Sequence, residues 1–167
     1  MDALITTARD VAKVTVFTAQ EVADGMSILA MAGQNTNEII ASTRSLVNLA
    51  TAAMTEFSDA ASITVGILRA FQMPAEETKR IVDTLAHTFT TSKSTLQSLG
   101  VTFRFVGPVA HNAGISIEET AAAAALMADA SIEAGVAGRS FRQAILRLQA
   151  PNKEAREIMA AYQLRLR

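Results

Sequence analysis

Apolar residues recur along this chain at the spacing of helix faces. Val22, Met26 and Leu29 sit at i, i+4 and i+7. Further stripes follow: Ile39, Ile40, Thr43, Leu46, Val47 and Ala50; Ile63, Ile67 and Phe71; Ile81, Val82, Leu85 and Phe89. Phe141, Ile145 and Leu148 make another, then Ile158, Met159 and Tyr162. No stretch alternates apolar and polar residues with the β-branched content of a strand. The pattern predicts an all-α chain, a compact bundle of about eight or nine short-to-medium helices.

Helix boundaries are punctuated by short motifs. Phe17-Thr18-Ala19-Gln20-Glu21 and Ile115-Ser116-Ile117-Glu118-Glu119 share an apolar residue, a hydroxyl and a Glu three positions later. That is a capping box, in which hydroxyl and carboxylate satisfy the free amides of a helix start reciprocally. Phe17 can also staple onto Val22. Gly33 fits the position after a helix end, and Asn35-Thr36 offers the next start. Ser58, then Ser92 or Ser94, and Pro151-Asn152 read as further starts, with Pro74 in a first turn. Gly135 and Gly138 read as a separating turn. Gly107-Pro108 predicts a kink or break near Phe105, because proline removes a ladder bond and clashes with the preceding turn. The two capping boxes lie 98 residues apart, which leaves an internal duplication of a helical hairpin open.

The 167 residues suit one domain. Half are apolar and only 5% aromatic, so Ala, Met, Leu and Ile must fill the core. Without cysteine, disulfides and thiolate chemistry are excluded. Charges interrupt every stretch long enough to span a bilayer, including the most apolar helix, which carries Asp129 and Glu133. No transmembrane segment is expected.

The net charge of −1 conceals an asymmetry. Residues 1–138 hold eight basic and 14 acidic side chains, a net of −6; residues 139–167 hold seven basic and two acidic, a net of +5. Cations near helix C-termini and on solvated faces account for much of this. The sharper reading is a docking surface for an acidic neighbour or another copy of the chain, built from Arg139, Arg142, Arg147, Lys153 and Arg156. Weak self-association would follow. Nucleic acid is not expected as a partner, since no aromatics interleave with the basic residues.

Chemistry-bearing constellations are missing from the sequence. His87 and His111 have no neighbouring ligands at metal-site spacing. Glu76-Glu77 and Glu118-Glu119 fall in first turns, where the helix dipole favours negative charge. There is no nucleophile elbow, phosphate loop or dinucleotide fingerprint. The expected protein is not an enzyme, with no catalytic, cofactor-binding or metal site and no cofactor.

From about Thr15 to Ala155 the chain resembles the conserved helical domain of tape measure proteins of long-tailed phages and prophages. The resemblance rests on ordered segments: Thr15 to Met26 with Ala30 to Gly33; Phe57 to Ala60; Ala70-Phe71; Arg80 to Asp83; Phe105 to Ala110; Gly114 to Ala121; and Gly138, Phe141-Arg142, Leu146 to Leu148 and Pro151. Arg139 and Phe141 depart from the small and aliphatic residues usual in the family and put the packing of their helix in question. The resemblance implies residues 1–14 as a helical lead-in, 15–155 as the conserved domain, and 156–167 as a helix end continuing into a longer parent. It implies a structural role in a phage or prophage tail: a fragment of the protein that sets tail length, in the virion tail and in the host cytoplasm during assembly. Tail-tube subunits, assembly chaperones and tail-tip proteins are the implied partners. The alternative from helical periodicity alone is a binding or scaffold module of a cellular protein, and a cell-wall lyase comes third.

Overall fold

The computed structural model describes residues 2–161, with side chains through residue 158. Tyr162, Arg165 and Arg167 lie outside these residues, as does the side chain of Met159. Among the described residues the chain is helical throughout and has no strand. The helices are α1 (Asp2–Val14), α2 (Ala19–Met31), α3 (Thr36–Ala52), α4 (Phe57–Ala70), α5 (Thr78–Thr91), α6 (Leu96–Asn112), α7 (Ile117–Asp129), α8 (Ala134–Gln149) and α9 (Lys153–Ala161), with a 3₁₀ turn at Ala75–Glu77 before α5.

Packing divides the helices into two layers. The largest interfaces are α2 with α4, α4 with α6, and α6 with α8; α3, α5 and α7 follow one another on the other side. The first-layer helices start at residues 19, 57, 96 and 134, so 38 or 39 residues apart. This is a stack of helical hairpins, in which each unit buries its apolar face mainly against its neighbours. α1 lies across α2 and α3 and covers the first end. The 98-residue offset matches α2 with α7, but these belong to opposite layers. Capping boxes recur at any helix start, so they are poor markers of a duplication. The shorter period does leave a trace in sequence, 38 residues apart: Gly100-Val101-Thr102-Phe103-Arg104 and Gly138-Arg139-Ser140-Phe141-Arg142.

The core runs between the layers. Val22, Leu29, Leu46, Phe57 and Leu85 are fully buried, and Phe103 nearly so. Two aromatic pairs tie first-layer neighbours together, Phe17 with Phe57 and Phe71 with Phe103, each with centroids 6.0 Å apart. Most of the sequence stripes are buried. Leu148 is an exception, exposed on α8, as is Ile158 on α9.

Both expected capping boxes form. Thr18 Oγ1 accepts from the Glu21 amide at 3.2 Å, while Glu21 accepts from the Thr18 amide at 2.7 Å. Ser116 and Glu119 repeat the arrangement. Thr18→Ala should cost about 1 kcal/mol, read as a lower midpoint in urea unfolding; an unchanged midpoint would remove the cap from the stability account.

Other starts differ from the sequence reading. α4 begins at Phe57 with no side-chain cap, so Ser58 lies inside it. α6 is capped by Thr95 with Ser98, while Ser92 and Ser94 bond to each other. Gly135 and Gly138 do not form a turn; both lie in α8, whose cap is Glu133. α6 also runs unbroken through Pro108. The carbonyl orphaned by that proline belongs to Arg104, one turn earlier, and both residues are exposed, so water can satisfy it. Gly107 and Val106 are buried, Gly107 against Ala70 at the end of α4 and Phe71 just after it, and this packing holds the helix in register.

The ends of α2, α3, α4, α6 and α7 follow one backbone device. At Gly33 (φ 94°) the amide bonds to the Ala30 carbonyl, and the Gln34 amide bonds to that of Leu29. This paired pattern needs a left-handed residue after the helix. Gly114 serves similarly, but Met54, Gln72 and Ser131 adopt positive φ without being glycine. Met54 is 94% exposed and has φ 49°. Met54→Gly should therefore stabilise the chain by about 0.5–1 kcal/mol, since a side chain in this conformation costs about 1–2 kcal/mol and glycine returns part of that in unfolded-state entropy. A thermal melt decides it.

Candidate interaction surface

α8 forms the outer member of the first layer, and its position is set at its start. Glu133 accepts from the amides of Gly135 at 2.9 Å and Val136 at 3.0 Å. Those bonds, the first the larger, hold its carboxyl below the usual glutamate range. Thr102 Oγ1 donates to the Ala134 carbonyl at 3.2 Å, tying α6 to the first residue of α8. At Gly138 the helices touch: a Cβ there would lie 2.8 Å from the Thr102 carbonyl oxygen and 3.1 Å from its Cα. Phe141 is half-buried and Ile145 buried on the same inner face.

The five basic residues singled out in the sequence sit beyond that inner face. Arg139, Arg142 and Arg147 are exposed on α8; Lys153 and Arg156 are exposed on α9. Arg139 stacks on the Phe105 ring at 5.4 Å, and Arg104 lies 5.7 Å from the same ring. Its unusual position is thus explained by an aromatic face one helix away, and the half-buried Phe141 packs against the core. Among the described residues none of the five forms an ion pair; the pairs found are Lys13–Asp10, Lys79–Asp83, and Arg80 with Glu77 and Glu118. An open groove of about 480 Å³ on the outer face of α8 is lined by Arg139, Ser140, Gln143, Ala144 and Arg147. Val136, Leu146 and Leu148 are exposed on the same helix. Of these, only Leu148 belongs to the sequence stripe with Phe141 and Ile145; Val136 and Leu146 lie off it.

The paired carboxylates have divided roles. Glu119 closes its capping box, whereas Glu118 accepts from Arg80 Nε at 2.6 Å and Nη2 at 2.9 Å, bridging α5 and α7. The arginine hydrogen bonds hold the Glu118 carboxyl low, and the capping amides do so for Glu21 and Glu119. A carboxylate with a depressed folded pKa adds stability above its unfolded value, near 4.5, and loses it as pH falls through the lower folded value. The melting temperature should therefore stay nearly level from neutral pH to about 5 and fall below that. A melt that rises on acidification would contradict it.

His87 is exposed, and His111 lies edge-on to Phe71 at 6.3 Å. Among the described residues no group of three or more His, Cys, Asp or Glu could hold a metal ion, and no helix is long and apolar enough to cross a membrane.

The class of fold is a stack of helical hairpins with grooves and charged outer faces. The chain belongs to the family of phage-related minor tail proteins, whose pattern matches residues 5–166. It is 34% identical over 148 residues to the tape measure protein of Pneumococcus phage Dp-1, covering 89% of this chain and 13% of that one. It is also 34% identical over 155 residues to the probable tape measure protein of Escherichia phage P2, covering 93% of this chain and 19% of the relative. The chain thus spans under a fifth of either relative's length. No solved structure matches it. The family expected from the ordered segments is the family found.

Proposed function

We propose that this chain is a folded domain of a tape measure protein, serving tail assembly and the setting of tail length as a structural element and not as an enzyme. The observation that carries the proposal is alignment over 89% and 93% of the chain with two relatives bearing that description. The architecture supports it: stacked hairpins offer long outer faces for neighbours. Residues 15–155 are the conserved unit, with 1–14 as lead-in. Tail-tube subunits, assembly chaperones and tail-tip proteins are the partners, met first in the host cytoplasm and then in the virion tail.

The test is an in-frame deletion of this segment from its reading frame in the phage, with tails measured by electron microscopy. Missing tails, or tails of altered length, are expected. Tails of normal number and length would overturn the reading. The purified chain should leave peptidoglycan intact in a zymogram; clearing would make it a lyase.

A further inference from the structure

We propose that the outer face of α8 is a docking surface for an acidic amphipathic helix supplied by another protein. Three observations converge on that chemistry. First, α6 and α8 carry Arg104, Arg139, Arg142 and Arg147 and no Asp or Glu between them. Second, most carboxylates of the body are engaged within the fold. Glu21, Glu38, Glu119 and Glu133 cap helices, Glu77 and Glu118 hold Arg80, Asp10 and Asp83 pair with Lys13 and Lys79, and Asp129 accepts from the Lys93 amide, nine of the 14 in residues 1–138. Arg142 and Arg147 thus face outward without an ion pair among the described residues, while Arg139 also feels the Glu133 carboxylate, and the body of a second copy has few free carboxylates to give them. Third, Val136 and Leu146 are 45% and 38% exposed among those arginines. Exposed aliphatics beside guanidinium groups match a helix with leucine-like residues on one side and carboxylates flanking them; a phosphate backbone would leave them uncovered.

A fluorescein-labelled peptide of leucine and glutamate at helical spacing, as long as α8, is titrated with the 167-residue chain. Controls are the same peptide with lysine for glutamate and a short DNA duplex. The acidic peptide should bind, and added salt should weaken it. Arg142→Glu with Arg147→Glu should weaken it at least about tenfold, since like charges then face each other. Leu146→Ser should weaken it without changing the salt dependence. Circular dichroism confirms that each variant folds. Failure of the acidic peptide to bind, equal binding of the lysine peptide, tighter binding of DNA, or indifference to the arginine reversals would each overturn the proposal. So would sedimentation showing that the chain buries this face in a dimer of itself.

Discussion

Gly25→Ala should destabilise the fold by about 3 kcal/mol, near the upper end for overpacking a core. The added methyl would run into the Cδ1 and Cε1 atoms of the Phe57 ring. Phe57 is 0% exposed and also packs against Phe17, so the ring has no free volume to turn into. α2 and α4 would have to separate, loosening a major first-layer interface. A smaller partner should recover part of the loss. Phe57→Leu alone leaves a cavity and destabilises. Combined with Gly25→Ala, it should cost clearly less than the sum of the single changes. Urea unfolding of the four-member cycle measures the coupling. Strict additivity would show that the contact does not set the helix spacing.

Gly138→Ala should cost about as much for a different reason. Its new Cβ would meet main-chain atoms of Thr102, and also the Phe105 Cβ at 3.0 Å. A rotamer change on α6 cannot clear backbone, so α8 itself must shift. The Thr102–Ala134 hydrogen bond and the Arg139–Phe105 stack should weaken together. Since α8 packs chiefly on α6, the damage should be local. Hydrogen exchange should show faster opening of α8 with little change in α2 to α4. A uniform loss of protection across all helices would mean that the hairpins unfold as one unit.

The legible parts of this chain were those in which a single residue type has one cheap role. Thr18 with Glu21, Ser116 with Glu119, and Gly33 all do in the structure what their side chains, or the lack of one, suggest. Met54 and Ser131 hid two helix ends, because left-handed geometry there is imposed by the neighbouring hydrogen bonds and not invited by glycine. Gly135 and Gly138 misled in the opposite direction: they give close approach between helices, not chain reversal. Pro108 was read as a breaker, yet burial of its neighbours outweighs the lost bond. At the candidate surface, the basic cluster was visible in sequence as charge. The exposed aliphatics were not, since exposure depends on which helices follow in the stack.

The serial packing of the hairpins has a mechanical consequence. Each first-layer helix is held chiefly by the one before and the one after. A tension applied between the chain ends would therefore load these units in line. Each yielding unit would release 38 or 39 residues, the spacing between helix starts in the first layer. Drawn out fully, that length of chain reaches about 130 Å. Single-molecule stretching should thus trace a sawtooth of nearly even steps, each recoverable on relaxation, so that the domain behaves as an extensible element of graded compliance.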